Sequence, residues 1–393
     1  MASRTLVVLL GGLLAPLAAG AANLIENPEF SDGLDGWSLA SEAGTVETDD
    51  ANGLPDAPSL HLAGDPARED VAAESSCVAI DDSAHIDLHV LVLSSAGLPS
   101  AIVQPYSDAA CTDALDPLST GSVGSTGDWT ELTLVDTALP EGTQSARVVL
   151  DSAVDADGNP GDALFDHVAF GPTGDVPYAI DVSQEGLTGA WYNPATGGQG
   201  FEFVMSPGNT AYLFGAWYTF GSTAGGTDTQ RWYTIESAVE PGTTTADVTI
   251  YQNTGGNFVA PPVTNAVAVG TGMLTFYSCT SGLFTYTFDD GRSGSIPLLA
   301  LMPNVECSET SPATTTPPPP SDFGLSGTWF DPANGGQGFI VSVNPVNLQS
   351  FFGWYTYAID GESEGEAGQR WFTAQGPYTT GSNALDDLTI YES

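Results

Sequence analysis

The chain has 393 residues, enough for more than one domain, and sets 49 acidic side chains against six basic ones, all arginine, for a net charge of −43 at pH 7. A surface of that sign repels nucleic acid, anionic lipid and uronic-acid polymers, which excludes them as partners. It also repels itself, less so as salt shortens the Debye length; it suits a salty or calcium-containing exterior, or simply keeps the chain soluble.

Residues 1–21 read as a secretory leader: Arg4, an apolar run from Leu6 to Leu17, then Ala19-Gly20-Ala21 as the cleavage site. Export to the periplasm or the extracellular space follows, with cleavage near Ala21. The run is short for a membrane span, and no later segment approaches 18 unbroken apolar residues, so no membrane insertion is expected. Four cysteines in an exported chain imply two disulfides. Cys77 and Cys111 fall in one predicted domain and Cys279 and Cys307 in the next, so pairing within each domain is the economical choice. Each bridge would close a loop of roughly 30 residues, worth about 3–4 kcal/mol on the chain-entropy account.

Residues 22–172 contain short alternating runs at 59–62, 85–92, 101–104, 129–135, 146–150 and 163–170, separated by Gly, Asp, Pro and Ser clusters. That pattern predicts an antiparallel sandwich. The opening Asn23-Leu24-Ile25-Glu26-Asn27-Pro28-Glu29-Phe30-Ser31-Asp32-Gly33-Leu34-Asp35-Gly36-Trp37 and the closing Ala163-Leu164-Phe165-Asp166-His167-Val168-Ala169-Phe170 resemble the first and last segments of jelly-roll carbohydrate-binding modules of the cellulase-associated type, a galactose-binding-like fold. The resemblance implies a glycan ligand and a structural calcium between the first and last strands, carried over here onto Asp32 and Asp166. Ser31 stands where many relatives have Glu. Sugar faces stack on aromatic rings; Trp37 and Trp129 read as core, which leaves Tyr106 as the platform. All four histidines lie in this domain; His85 and His89 share a strand face but lack a second-ligand motif, and read as structural.

Residues 173–185 read as a connector, and an internal repeat follows. Trp191-Tyr192-Asn193-Pro194-Ala195-Thr196-Gly197-Gly198-Gln199-Gly200-Phe201 returns 138 residues later as Trp329-Phe330-Asp331-Pro332-Ala333-Asn334-Gly335-Gly336-Gln337-Gly338-Phe339, with eight of eleven positions identical. Trp217-Tyr218-Thr219, Gln230-Arg231-Trp232 and Thr249-Ile250-Tyr251 return as Trp354-Tyr355-Thr356, Gln369-Arg370-Trp371 and Thr389-Ile390-Tyr391. Repeat 1, residues 186–307, predicts eight strands at 187–191, 200–205, 212–220, 231–237, 245–251, 272–277, 284–288 and 295–301, an all-β meander that suits a closed barrel. The glycines before Phe201 read as a tight turn into a strand that passes close to another backbone. Trp217 and Trp232 either fill the barrel or line its mouth for a ligand. Arg231 is expected to anchor on Asp228, to stack on a tryptophan, or to touch ligand.

Residues 308–322 form a Ser/Thr/Pro linker, extended and expected to space modules apart. Residues 323–393 are the second, incomplete copy, with no counterpart of the last three strands or of the cysteine pair; five strands of an eight-stranded barrel predict an open edge, so the sequence reads as incomplete or as one that pairs with another chain. The repeat is similar to Trp-rich β-repeats of exported Gram-negative bacterial proteins. No nucleophile elbow occurs, and Glu202 and Glu236, the available acids for glycoside hydrolysis, have Ile340 and Gln375 as counterparts. The reading is a secreted, non-catalytic multi-module protein that binds a neutral glycan or cell-surface polysaccharide. The alternatives are the accessory region of a larger exported hydrolase and a lipocalin- or avidin-like barrel for a small apolar ligand.

Overall fold

The computed structural model describes residues 23–392 except 42–43, 56, 66–69, 81–84, 126, 177, 222–225, 260–263, 303–306, 310–320, 360–363, 383 and 386–387. The predicted leader and most of the linker lie outside the described residues. Among the described residues the regular structure is β-strand apart from short helical turns, with turns and irregular segments between the strands.

Eleven strands build the N-terminal sandwich: β1 (Trp37–Leu39), β2 (Thr45–Asp49), β3 (Ser59–Ala63), β4 (Val71–Ser75), β5 (Val78–Ala79), β6 (His85–Ala96), β7 (Leu98–Tyr106), β8 (Leu118–Ser119), β9 (Thr130–Ala138), β10 (Ser145–Ala153) and β11 (Asp162–Pro172). One sheet runs β1-β4-β10-β7-β8 with β5 beside β10; the other runs β2-β3-β11-β6-β9. Alternation decides which side chains meet between them. Ala146, Val148 and Leu150 of β10 point inward with Ala101 and Val103 of β7, onto Phe30, Trp37, Phe165 and Phe170. The bridge Cys77–Cys111, as paired from sequence, ties the loop after β7 to the segment before β5.

β11 departs from alternation, because Ala163 through Gly171 are all buried. Its inner side chains enter the sandwich core, while Leu164 joins Leu91, Trp129 and Leu54 beneath Tyr277 and Leu283 of the next domain. A strand covered on both faces loses the polar half of its pattern. Trp129 is therefore not a sandwich core residue as expected; it is buried at the seam between domains, where its backbone N–H donates to Ser295 Oγ at 2.8 Å. A bulge at Asp166–Ala169 puts His167 at φ 49° and turns its ring outward, 2.7 Å from Glu29 and 2.7 Å from the carbonyl of Tyr178.

Repeat 1 forms the predicted closed barrel: β12 (Gly189–Tyr192), β13 (Gly200–Ser206), β14 (Ala211–Phe220), β15 (Gln230–Val239), β16 (Thr245–Thr254), β17 (Asn265–Phe276), β18 (Ser281–Phe288) and β19 (Ser293–Ala300), shut by Trp191 opposite Ala300. A Cβ on Gly200 would lie 2.6 Å from the Trp191 carbonyl, so the expected close backbone approach is real. The interior is filled with rings: Phe201 lies 5.4 Å from Trp217, and Phe284 stands edge-on to both. These rings occupy the lumen in which the lipocalin-like alternative would hold its ligand. Ile180 and Val182 of the expected connector belong to this core, pinned by backbone bonds to Phe276 and Thr243. Cys279–Cys307 closes the barrel's end. β16 and β17 overrun the barrel as a ribbon, Gln252–Thr254 against Asn265–Val267, and the exposed pattern of its start hid the first half of β17 from the sequence reading.

Repeat 2 has β20 (Gly327–Trp329), β21 (Gly338–Asn344), β22 (Gln349–Tyr357), β23 (Gln369–Pro377) and β24 (Thr389–Glu392) in one open five-stranded sheet, with a one-turn helix α1 (Gly365–Gly368) before β23. The two repeats are not spaced apart. They pack directly on one another.

Candidate functional site

Three surfaces stand out, and the sequence-predicted residues divide among them. The first is the outer face of the β1-β4-β10-β7-β8 sheet. Along β10 the outward side chains are Arg147, Val149 and Asp151; Gln104 stands opposite Arg147, Ile102 and Glu74 flank Val149, and Ser100 and Ala72 flank Asp151. Arg147 Nη1 donates to the Ser75 carbonyl at 2.8 Å and to Glu74 Oε1 at 3.3 Å, which fixes a guanidinium flat on the sheet. Burial, reinforced by the neighbouring Asp70 carboxylate, raises the Asp151 pKa to about 6. Tyr106 ends the row, half-buried, in register with Ser145 under the Cys111 loop. The opposite sheet has no such freedom, since the barrel and Tyr178 cover it.

The calcium expectation meets different geometry. Asp166 is 1 % exposed; its Oδ2 accepts from Ser59 Oγ at 2.5 Å and its Oδ1 from the His167 N–H at 2.7 Å. Asp32 sits on an exposed turn whose N–H donates to Asn27 Oδ1. Among the described residues no group of three or more His, Cys, Asp or Glu converges as a cation cage. A buried carboxylate already bound to a hydroxyl and an amide does not fit the oxygen-rich shell calcium takes, so no role is derived for the ion. His89 pairs with Glu131 and stacks on Tyr178, and His85 meets Asp136.

The second surface joins the repeats, and it absorbs the signature residues. Gln230 Nε2 donates to the Trp371 carbonyl at 3.1 Å, and Gln369 Nε2 to the Trp232 carbonyl at 3.0 Å. The Trp232 indole N–H donates to the Thr356 carbonyl at 2.9 Å, and the Trp371 indole to the Thr219 carbonyl at 3.2 Å. Thr219 and Thr356 are themselves held by Gln199 and Gln337 of the two glycine turns. Arg231 pairs with Glu366, and Arg370 with Asp228. The expected partner Asp228 is thus used, but by the other repeat's arginine. These glutamine, tryptophan and arginine contacts come in mates with the repeats exchanged, as in a two-fold dimer interface built within one chain. Trp232 is 0 % exposed here and Trp217 is sealed in the barrel, so neither offers a ring to ligand, contrary to the candidate roles; Arg231 is spent on its ion pair.

Glu202 also lies in this seam, 0 % exposed, with Oε1 accepting from Ser342 Oγ of repeat 2 at 2.8 Å. Burial pushes its carboxyl well above the usual range, opposed by Ser342. Glu236 is on the barrel's exterior, bound by the Tyr212 hydroxyl at 2.6 Å. The two do not face one another across a cleft.

The third surface is the uncovered concave face of repeat 2, an apolar trough of about 710 Å³ walled by Trp329, Phe339, Val341, Phe352, Trp354 and Phe372. In repeat 1 the matching residues are covered by β17–β19.

No protein-family model matches the sequence, and no curated protein matches it. Among solved structures, the enzymatically active domain of bacteriophage CBA120 tailspike protein 4 is 15% identical at TM-score 0.32, over 38% of this chain and 21% of that one. A family 16 carbohydrate-binding module is 19% identical at TM-score 0.29, over 38% of this chain and 99% of its own length. The N-terminal cellulose-binding domain of Cellulomonas fimi β-1,4-glucanase C is 17% identical at TM-score 0.27, over 38% and 97%. At these values none of them bears on a ligand. The strand order itself says that the first domain is a jelly-roll sandwich.

Proposed function

We propose that this protein is an exported, non-catalytic glycan-binding protein whose ligand lies across the free sheet of the sandwich. One observation carries the reading: the two outer faces of the sandwich are treated oppositely. One is buried under the barrel through Leu91, Trp129 and Leu164, and the other is left open with Gln104, Arg147, Glu74 and Asp151 along it. A sheet face that carries both donors and acceptors suits the hydroxyls of a sugar chain, and Tyr106 adds an aromatic ring at one end. The carboxylates accept from neutral sugars and repel uronic acids, which sets the class of glycan. The docked repeats then serve as a rigid base that holds this face outward.

The test is a neutral-glycan array and calorimetry on the mature full chain. Arg147→Ala and Tyr106→Ala should each weaken binding at least tenfold with unchanged melting temperature, while Tyr212→Ala on the barrel should leave it alone. Absence of binding to any neutral glycan, or binding indifferent to both substitutions, would refute the proposal. Release of shortened sugars from the bound glycan would favour the hydrolase alternative instead.

A further inference from the structure

At the buried centre of the seam, the exchange of mates set by the glutamines and tryptophans is broken where Glu202 sits. Register places Ala216 opposite Glu202 on β13–β14 and Gly353 opposite Ile340 on β21–β22, so Glu202 corresponds to Ile340, Ala216 to Gly353 and Val204 to Ser342. One half of the seam therefore sets Glu202 against Ser342 and Gly353. The mate half sets Ile340 into the same buried apolar cluster as Val204 and Ala216.

The polar half is fitted to its side chain. Ser342 supplies the hydroxyl that Glu202 Oε1 accepts. A Cβ on Gly353 would collide with both Glu202 Oε2 and the Tyr218 hydroxyl, so only glycine leaves space for the two. The wrong pairing shows what these residues prevent. Two copies of repeat 1 would place Glu202 against Val204 and Ala216 in both halves, burying two carboxyls without the hydroxyl that Ser342 supplies and with two methyls in the space they need. The reciprocal glutamine, tryptophan and arginine contacts would be kept, since Gln230, Trp232, Thr219, Arg231 and Asp228 are all present in repeat 1.

We propose that the seam is a directional pairing code: a repeat bearing Glu202 accepts a repeat bearing Ser342 and Gly353 and rejects a copy of itself, within one chain or between two. The partner this surface fits is the second repeat of another copy of this chain, and Glu202 confines the match to that repeat.

The experiment uses full mature chains. Arg370→Glu sets a carboxylate against Asp228 and spoils the docking surface of repeat 2 alone; Arg231→Glu sets one against Glu366 and spoils that of repeat 1 alone. Gln369→Ala/Trp371→Ala and Gln230→Ala/Trp232→Ala form a second, stronger pair of variants, with circular dichroism confirming the fold in each case. Sedimentation velocity should find each variant monomeric alone and a one-to-one mixture of complementary variants dimeric, because the intact repeat 1 of one chain meets the intact repeat 2 of the other. Adding Glu202→Ile to Arg370→Glu turns both halves of a repeat 1 self-pair into the apolar half, and self-association should tighten at least tenfold. A mixture that stays monomeric would overturn the code as a portable surface. Self-association of Arg370→Glu as tight as that of the mixture, or unaltered by Glu202→Ile, would overturn the role of Glu202.

Discussion

Asp151 shows how a single side chain on the proposed glycan face answers to its surroundings. Burial and then the Asp70 carboxylate lift its pKa from the ordinary value of 3.8 to about 6 in the folded state. Between those values the folded chain holds a proton that the unfolded chain has lost, so this group's contribution is full below about pH 3.8 and fades as pH rises through 6. Asp151→Asn should therefore raise stability at pH 7.5 by about 1–2 kcal/mol, allowing for solvent screening at a site that water still reaches. It should change nothing at pH 3.5. Urea titrations at the two pH values decide it, and an equal gain at both would mean that charge is not the cause. Glu202 teaches a different lesson about reading residues singly. On its own strand it looks like an exposed acid available for hydrolysis, because the partner that buries it is Ser342, 140 residues further along the chain. Local pattern carries no trace of that distance.

At the scale of strands, much was legible. The eight strands of repeat 1 follow from alternation broken by Gly, Asn, Asp and Pro, and the Gly200 approach follows from glycines placed before an aromatic strand. What the repeated tryptophans and arginines do was not legible, since the period of a strand tells which face a residue takes and not what lies on that face. Trp217 and Trp232 are on adjacent strands, yet one fills the barrel and the other a seam with a second domain. Repeat 2 is a five-stranded open sheet among the described residues, and it makes an optical prediction. Trp329 is 56 % exposed and Trp354 lines the same trough, whereas Trp37, Trp129, Trp191, Trp217, Trp232 and Trp371 are buried. Acrylamide should quench a minor fraction of the fluorescence, and Trp329→Phe/Trp354→Phe should remove most of that fraction. Quenching that persists in the double variant would mean that the barrel or the seam opens in solution.

At the scale of the molecule, the linker composition predicts modules held apart, and the two repeats instead meet face to face. Proline and threonine content describes the tether's own stiffness; where the tethered bodies end up is decided by the surfaces they present. Here those surfaces are strong enough to hold domains of like sign together against a net charge of −43. The sandwich is fastened to the barrel by an apolar patch and the paired Asp128–Ser295 and Trp129–Ser295 bonds, and repeat 1 to repeat 2 by buried tryptophans and reciprocal glutamines. Such contacts are short-ranged, whereas the repulsion is screened over ~10 Å at 0.1 M salt and ~3 Å at 1 M. Raising sodium chloride from 0.1 to 1 M should therefore raise the melting temperature while leaving the radius of gyration from X-ray scattering unchanged, because the modules are already docked at low salt. Freely tethered beads would do the reverse, contracting as screening lets them approach with little change in the stability of each. A contraction on adding salt would show that the seams are open in dilute buffer, and Arg231→Glu/Arg370→Glu, which sets like charges across both ends of the repeat seam, should reproduce that contraction if docking is what keeps the wild-type chain compact.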